Sequence, residues 1–385
     1  MKNAADGAAR TKKVLIVRNA YRYDFGGGER VPVNLADVLS RNGYKPTIVS
    51  RSPKLLEYAA SKDLQTVHGW WWARQNWSGP RVLLSPAYFI WQILLTAWYL
   101  GLLTRLRPDV VHPQSKDDFI AATIAAKLLG KRVIWSDHAD LKYVYLNDKV
   151  WYKNPIGKLV KLCSRGAYAI ILTSQNDKRQ VEETLGVKTD DKYKVIYNGI
   201  FDRPELLNKK HDGNKVIFAA TSRLVTAKGI GELIEAFEQI DQDFPAELWL
   251  FGEGPEEKKF VAQAAGHSGI KFKGFPEDTL EQVAKADIFV HPSYLEGFSI
   301  SLIEAAMLGK PIIACNVGGN PELVKDGING ILIPACNSGA LASAMKKLAT
   351  DKTLKEKYGK AARKTYEGNF VFENIIKEQY LPLYE

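Results

Sequence analysis

Cysteine is scarce. Cys163, Cys315 and Cys336 are scattered, with no CxxC and no Cys/His cluster. This argues against a zinc ribbon or a disulfide framework and for a reducing compartment. The opening stretch, MKNAADGAARTKK, is polar and lacks an apolar h-region, so no secretory leader is expected. No G-x-G-x-x-G follows the first strand-like run, and no acid ends the second, so a dinucleotide site is not expected. No short repeat is visible. What is present is ordinary for a globular chain: 46% of the 385 residues are apolar and 25% charged, enough for two conventional domains.

Charge is unevenly placed. Residues 1–205 hold 32 Lys and Arg against 19 Asp and Glu, a net +13, while residues 206–385 are at −3. A basic first half reads either as a solvated surface or as the partner of a polyanion.

Short apolar runs alternate with helix-length amphipathic runs. Strands are expected at Val14–Val17, Pro46–Val49, Asp109–His112, Arg132–Trp135, Ala169–Leu172 and Lys194–Tyr197. Residues 198–215 are polar, contain Gly and Pro and carry no period, so a linker is placed there. The rhythm restarts with strands at 215–219, 247–251, 287–290 and 311–314. Two successive doubly wound α/β units follow, residues 1–205 and 206–366, with helical spacing again over 370–384. Ligands of such sheets bind beyond the carboxyl ends of the strands, so chemistry is expected in the loops there.

Four loops stand out. Gly26-Gly27-Gly28 precedes the first helix and reads equally as a structural turn or as a close approach to phosphate. Arg223 and Lys228 follow the strand at 215–219 and suit a diphosphate, Arg as a planar fork and Lys as a point charge. The segment His291 to Ala305 follows another strand. Glu296 lies in its loop, Gly297 allows a sharp turn, and a helix starts near Ser299 with Glu304 inside it. Backbone N–H groups of residues 298–301 would face an anion. Glu304 could accept hydrogen bonds from a ribose, and Glu296 could orient a sugar; the bland readings are a half-buried helix acid and a helix-entry acid. Fourth, His138, after the strand at 132–135, is either a substrate contact or a satisfied structural histidine. Asn198-Gly199 is either a tight turn or a ligand contact. Asp241-Gln242-Asp243 has the DxD pattern of metal-dependent sugar transfer, but it precedes a strand and reads as a solvated loop.

Together these elements resemble the GT-B glycosyltransferases of family 4, the "group 1" kind, over nearly the whole chain. Gly26 to Glu29 is similar to the glycine loop, Pro108 to His112 to the "PDVVH" strand, and Thr173-Ser174 to the serine before the linker. Tyr197 to Ile200 looks like the "NGV" element and Arg223 to Gly229 the "GRL…KG" element. Glu296 and Glu304 match the two-glutamate motif, and Gly318 to Glu322 the "GG.PE" loop. Ser222 stands where the family usually has glycine. The resemblance implies two Rossmann-like domains facing a cleft, with the C-terminal helix (residues 367–385) rejoining the first. It implies a retaining, metal-independent hexosyl transfer from a nucleotide-diphosphate sugar, with no cofactor. Arg223 and Lys228 would hold the diphosphate, and Glu304 the ribose. Glu296 would face the sugar, with Gly297, Phe298, Ser299 and Ile300 giving backbone contacts. Gly27, Gly28 and Asn198 would line the donor, and His138 would lie near the reacting carbon. A glycan or lipid-linked acceptor is expected, and no nucleic acid. The rivals are a basic membrane- or RNA-binding protein without catalysis, and a nucleotide-sugar epimerase of the same fold.

One region is peculiar to this chain. Trp70, Trp71, Trp72 and Trp77 crowd eight residues, and residues 82–104 carry no charged side chain. That run is long enough to span a bilayer, but it lies between strands of one sheet, which a span would tear apart. It reads as a long half-buried helix or as an interfacial helix, and an anionic membrane surface facing residues 70–104 is the partner considered.

Overall fold

The computed structural model describes residues 10–19, 27–71, 85–138, 155–186, 188–240 and 244–385. Gly26, Trp72, Trp77 and the DxD triplet 241–243 lie outside them. The chain forms two units. The first comprises residues up to Thr173, Asp177–Ile196 and Ile376–Glu385; the second comprises Ser174–Asn176 and Tyr197–Ile375.

The first unit is built on seven parallel strands: β1 (Lys13–Val17), β2 (Lys45–Ser50), β3 (Gln65–His68), β4 (Val110–Pro113), β5 (Arg132–Asp137), β6 (Ala169–Leu172) and β7 (Tyr193–Val195). Their order is β3-β2-β1-β4-β5-β6-β7. The second unit has six: β8 (Val216–Thr221), β9 (Ala246–Phe251), β10 (Ile270–Gly274), β11 (Ile288–His291), β12 (Ile312–Cys315) and β13 (Gly330–Ile333). Their order is β10-β9-β8-β11-β12-β13. Both sheets are parallel throughout. Parallel sheets carry helices on both faces, which is why β1 and β11 read as unbroken apolar runs with no alternation. In each sheet the order reverses beside the first strand, between β1 and β4 and between β8 and β11. Such switch points open the crevice in which ligands bind.

Three strands are not expected from the sequence: β3, β10 and β13. All lie at sheet edges. Edge strands are covered less, so QTVH and IKFKG carry polar residues and lack the buried-strand signature. The segment 198–215 is not a free linker. Ile200 bridges Val371, Gly199 packs against Ile375 and Phe370, and Leu206 lies in the core of the second unit. Its polarity reflects surface loops around these anchors.

The last residues, Ile376–Glu385, belong to the first unit. His112, buried on β4, shares one ring nitrogen with the Tyr384 hydroxyl at 2.6 Å and the other with Ser136 Oγ at 2.7 Å. Burial pushes the His112 pKa down to about 3, so the ring is neutral. Arg132 donates to the Leu383 carbonyl at 3.1 Å, and Lys12 donates to the carbonyls of Tyr384 and Glu385. Tyr384→Ala removes a fully buried ring and orphans a His112 nitrogen. It should lower stability by about 3 kcal/mol or more, against about 1 kcal/mol for Tyr384→Phe. Urea unfolding of the two variants checks this; equal midpoints would mean that the ring contributes little.

Candidate active site

The expected site residues of the second unit cluster at its switch point, after β8 and β11. Beyond β8 the chain does not enter a helix at once. A 3-10 turn, Thr226–Lys228, comes first, then Gly229 in the left-handed region (φ +68°), then the helix Ile230–Glu238. A Cβ on Gly229 would stand 2.1 Å from the Pro292 carbonyl oxygen. This close approach stitches the two loops together: Tyr294 N–H donates to the Ala227 carbonyl at 3.0 Å, and Ser293 Oγ to the same oxygen at 3.3 Å.

Lys228 and Glu296 therefore meet. Lys228 Nζ lies 2.5 Å from Glu296 Oε1, and His291 Nε2 lies 2.9 Å from the same oxygen. Glu296 is nearly buried, its side chain 11% exposed. Burial alone would raise its pKa; the His291 bond and charge, with the Lys228 ammonium, overcome this and hold it at about 2. The site thus keeps a full negative charge in a low-dielectric position, with Oε2 left out of that pair of contacts. His291 ends β11, and its other nitrogen is 3.5 Å from Ser301 Oγ, which in turn is 2.9 Å from Ser299 Oγ.

The helix Ile300–Met307 starts at Ser299, whose side chain makes no capping bond. Its first N–H groups and dipole thus present positive partial charge at the loop that holds Glu296. Glu304 is half-buried within this helix, and Arg223 is exposed beyond β8. Gly297 accepts from Gly319 N–H at 2.9 Å. The Phe298 ring is core: it packs on Tyr197 and Phe370 with centroids 4.9 and 5.5 Å away, so only its backbone could serve a ligand. Ile300 opens the helix. Asn198 is half-buried in the second unit, next to the tightly packed Gly199.

Gly27, Gly28 and His138 belong to the first unit. Gly27 and Gly28 open the helix Gly27–Arg41, and a Cβ on Gly28 would meet nothing within 4 Å. His138 follows β5, and its Nε2 is 3.4 Å from Gln114 Oε1. Burial first, then the charges of Arg18 and His112, hold it well below the usual histidine range. It is a neutral hydrogen-bonding ring.

Two family models divide the chain between them. "Glycosyltransferase Family 4" matches residues 25–202, and "Glycosyl transferases group 1" matches residues 202–365. The chain is a family 4 glycosyltransferase.

This glycosyltransferase is 27% identical over 371 residues to an uncharacterized glycosyltransferase of Methanocaldococcus jannaschii, covering 89% of this chain and 90% of that one. It is 28% identical over 170 residues to the lipopolysaccharide core biosynthesis glycosyltransferase LpsE of Rhizobium meliloti, 43% of this chain and 49% of that one. Among solved structures it matches Anabaena HepE, crystallised with UDP and glucose, with a TM-score of 0.76 at 20% identity over 97% of this chain and 99% of that one. That likeness shows the GT-B fold.

Three residues of the glycosyltransferase had no role assigned from sequence. His291 anchors Glu296; its place as the last residue of an apolar strand was the available signal. Glu256 accepts from Thr226 N–H at 3.0 Å and from its hydroxyl, holding the turn before Lys228. Glu322 accepts from the N–H groups of Gln175 and Asn176 at 2.8 and 2.7 Å and from the Tyr197 hydroxyl at 2.9 Å. The last two act across long sequence separations that no local pattern encodes.

Proposed function

We propose that this enzyme transfers a hexose from a nucleotide-diphosphate sugar to a glycan or a lipid-linked acceptor, with retention and without a metal ion. The observation that carries this reading is the buried Glu296 held ionised by Lys228 and His291 at the switch point between β8 and β11. Arg223 and Lys228 hold the diphosphate. As the bond from the anomeric carbon to the diphosphate oxygen breaks, their charge takes up the negative charge that develops, usually the dominant contribution to such catalysis. Glu304 receives the ribose hydroxyls. Glu296, negative beside the donor sugar, orients its hydroxyls and favours positive charge at the anomeric carbon. Backbone groups of Gly297, Phe298, Ser299 and Ile300, with Asn198, line the donor. The acceptor hydroxyl oxygen bonds to the anomeric carbon on the face from which the diphosphate leaves, and its proton passes to the departing phosphate oxygen.

We place the reaction in polysaccharide or glycolipid synthesis in the cytoplasm; three free cysteines fit a reducing compartment. A lipid-linked acceptor would bring the basic first half to an anionic membrane. A panel of nucleotide sugars, read by thermal shift on wild type, Glu304→Ala and Arg223→Ala, tests the donor site. A donor that raises the melting temperature of wild type alone supports the reading. No shift with any nucleotide sugar, in protein shown to be folded, would remove it.

A further inference from the structure

The helix Ser85–Leu106 is apolar around its whole circumference, yet only one face is covered. Tyr88, Gln92, Leu95, Tyr99, Leu102 and Leu103 are buried. They follow the helical repeat and pack on the helix Lys116–Leu128. Polar bonds lock this face in place. Tyr99 Oη donates to Asp118 Oδ1 at 2.8 Å, and Gln92 Nε2 donates to Tyr88 Oη at 2.9 Å and the Asp117 carbonyl at 3.4 Å. Withdrawing the helix to cross a bilayer would strand these groups, so the helix stays with its sheet.

The opposite face is a different matter. Ile90, Ile93 and Leu94 are 60%, 68% and 54% exposed, with Ala87 and Ala97 exposed at either end. From Ala87 to Ala97 the stripe runs roughly 15 Å along the axis. The tryptophans divide in the same way. Trp71 is fully buried, its ring centroid 4.8 Å from Trp98, and is core; Trp70 is 44% exposed and stands edge-on to Trp91 at 5.0 Å. An exposed apolar stripe of this kind on a soluble unit marks a surface that something covers.

Charge identifies the occupant. Between Asp63 and Asp109 there is no acidic residue, while Arg74, Arg81, Arg105 and Arg107 fall in that interval. Arg105 and Arg107 are exposed at the carboxyl end of the helix. Apolar side chains, an amphipathic tryptophan pair and arginines without a single acid are the composition of an interfacial helix on an anionic bilayer. A contact of this stretch with the same stretch of another copy would offer these arginines no acid, since none lies between Asp63 and Asp109. We propose that the Ile90–Ile93–Leu94 face lies flat in the headgroup region of a membrane rich in anionic lipid, with Trp70 and Trp91 at its border and Arg105 and Arg107 on the headgroups. The inference rests on these residues alone and not on the sugar-transfer reading.

The test is flotation of the full chain with vesicles of phosphatidylcholine and phosphatidylglycerol in equal parts, beside vesicles of phosphatidylcholine alone. Wild type, Ile90→Glu/Ile93→Glu and Arg105→Glu/Arg107→Glu are compared, with melting temperature as the check on folding. Both pairs are exposed, so both variants should fold. Wild type should float with the anionic vesicles. Each double variant should bind at least about tenfold more weakly at an unchanged melting temperature. Wild type that stays in solution with anionic vesicles overturns the proposal. So does an Ile90→Glu/Ile93→Glu variant that floats like wild type. A wild-type dimer in sedimentation that the isoleucine variant dissociates would reassign the face to contact between copies. The nucleotide-sugar thermal shift should be the same in all three proteins, so failure here and failure of the donor reading are separable.

Discussion

Lys228→Ala should lower kcat by about 10²- to 10³-fold, with a smaller effect on KM. The cause is electrostatic. A preorganised cation at a departing diphosphate contributes most when negative charge is greatest, which is in the transition state. In the proposed reaction Lys228 would act from a backbone held by the stitched loops 226–229 and 292–294. Its loss has a second consequence. Glu296 would keep only His291 as a partner in a nearly buried position, and an underpaired buried carboxylate takes up protons more readily.

Acid stability should shift with it. The Glu296 pKa is lowered from the ordinary 4.5 to about 2 in the folded protein. It therefore contributes stability that is present above pH ~4.5 and is lost as pH falls towards 2. Lys228→Ala shrinks this window, so the variant should unfold at a higher pH than wild type during acid titration. Steady-state kinetics and acid unfolding followed by circular dichroism check both statements. A folded Lys228→Ala enzyme within a few-fold of wild-type kcat would show that the diphosphate is held elsewhere.

Gly318→Ala should be at least as damaging, through the backbone alone. Gly318 has φ +54°, and a Cβ there would lie 1.8 Å from the Glu296 carbonyl oxygen. Neither atom can yield cheaply, because the obstacle is main chain. Relief would require moving the 296–298 loop, whose Gly297 carbonyl accepts from Gly319. Glu296 would then leave Lys228 and His291. The expected cost is roughly 3 kcal/mol or more of stability, together with loss of activity. Gly368→Ala is the control: nothing lies within 4 Å of its Cβ position, and it sits in the helix Lys352–Asn369. That change should be neutral or slightly stabilising. Thermal melts and turnover of the two variants separate the cases. A Gly318→Ala protein as stable and active as wild type would mean that the 296–298 loop gives way without cost.

The sequence by itself determined the alternation of buried strand and amphipathic helix, and with it two doubly wound units. It determined which loops follow which strands, and so brought Arg223, Lys228, Glu296 and Glu304 to the carboxyl ends of β8 and β11. These are local signals: a periodicity of a few residues and motifs a few residues long. Tertiary structure alone decided the rest. It paired Lys228 with Glu296 across 68 residues and set His291 on the same oxygen. It joined Tyr384 to His112 across 272 residues. It sent Trp71 into the core and left Trp70 at the surface, a division that two identical neighbours cannot encode. It also decided which face of the helix Ser85–Leu106 is covered, because a helix whose residues 85–104 are uncharged and apolar on every side carries no moment to say which side turns inward. The edge strands β3 and β10 were hidden for a related reason: their composition answers to partial exposure, which is a property of the finished sheet and not of the segment.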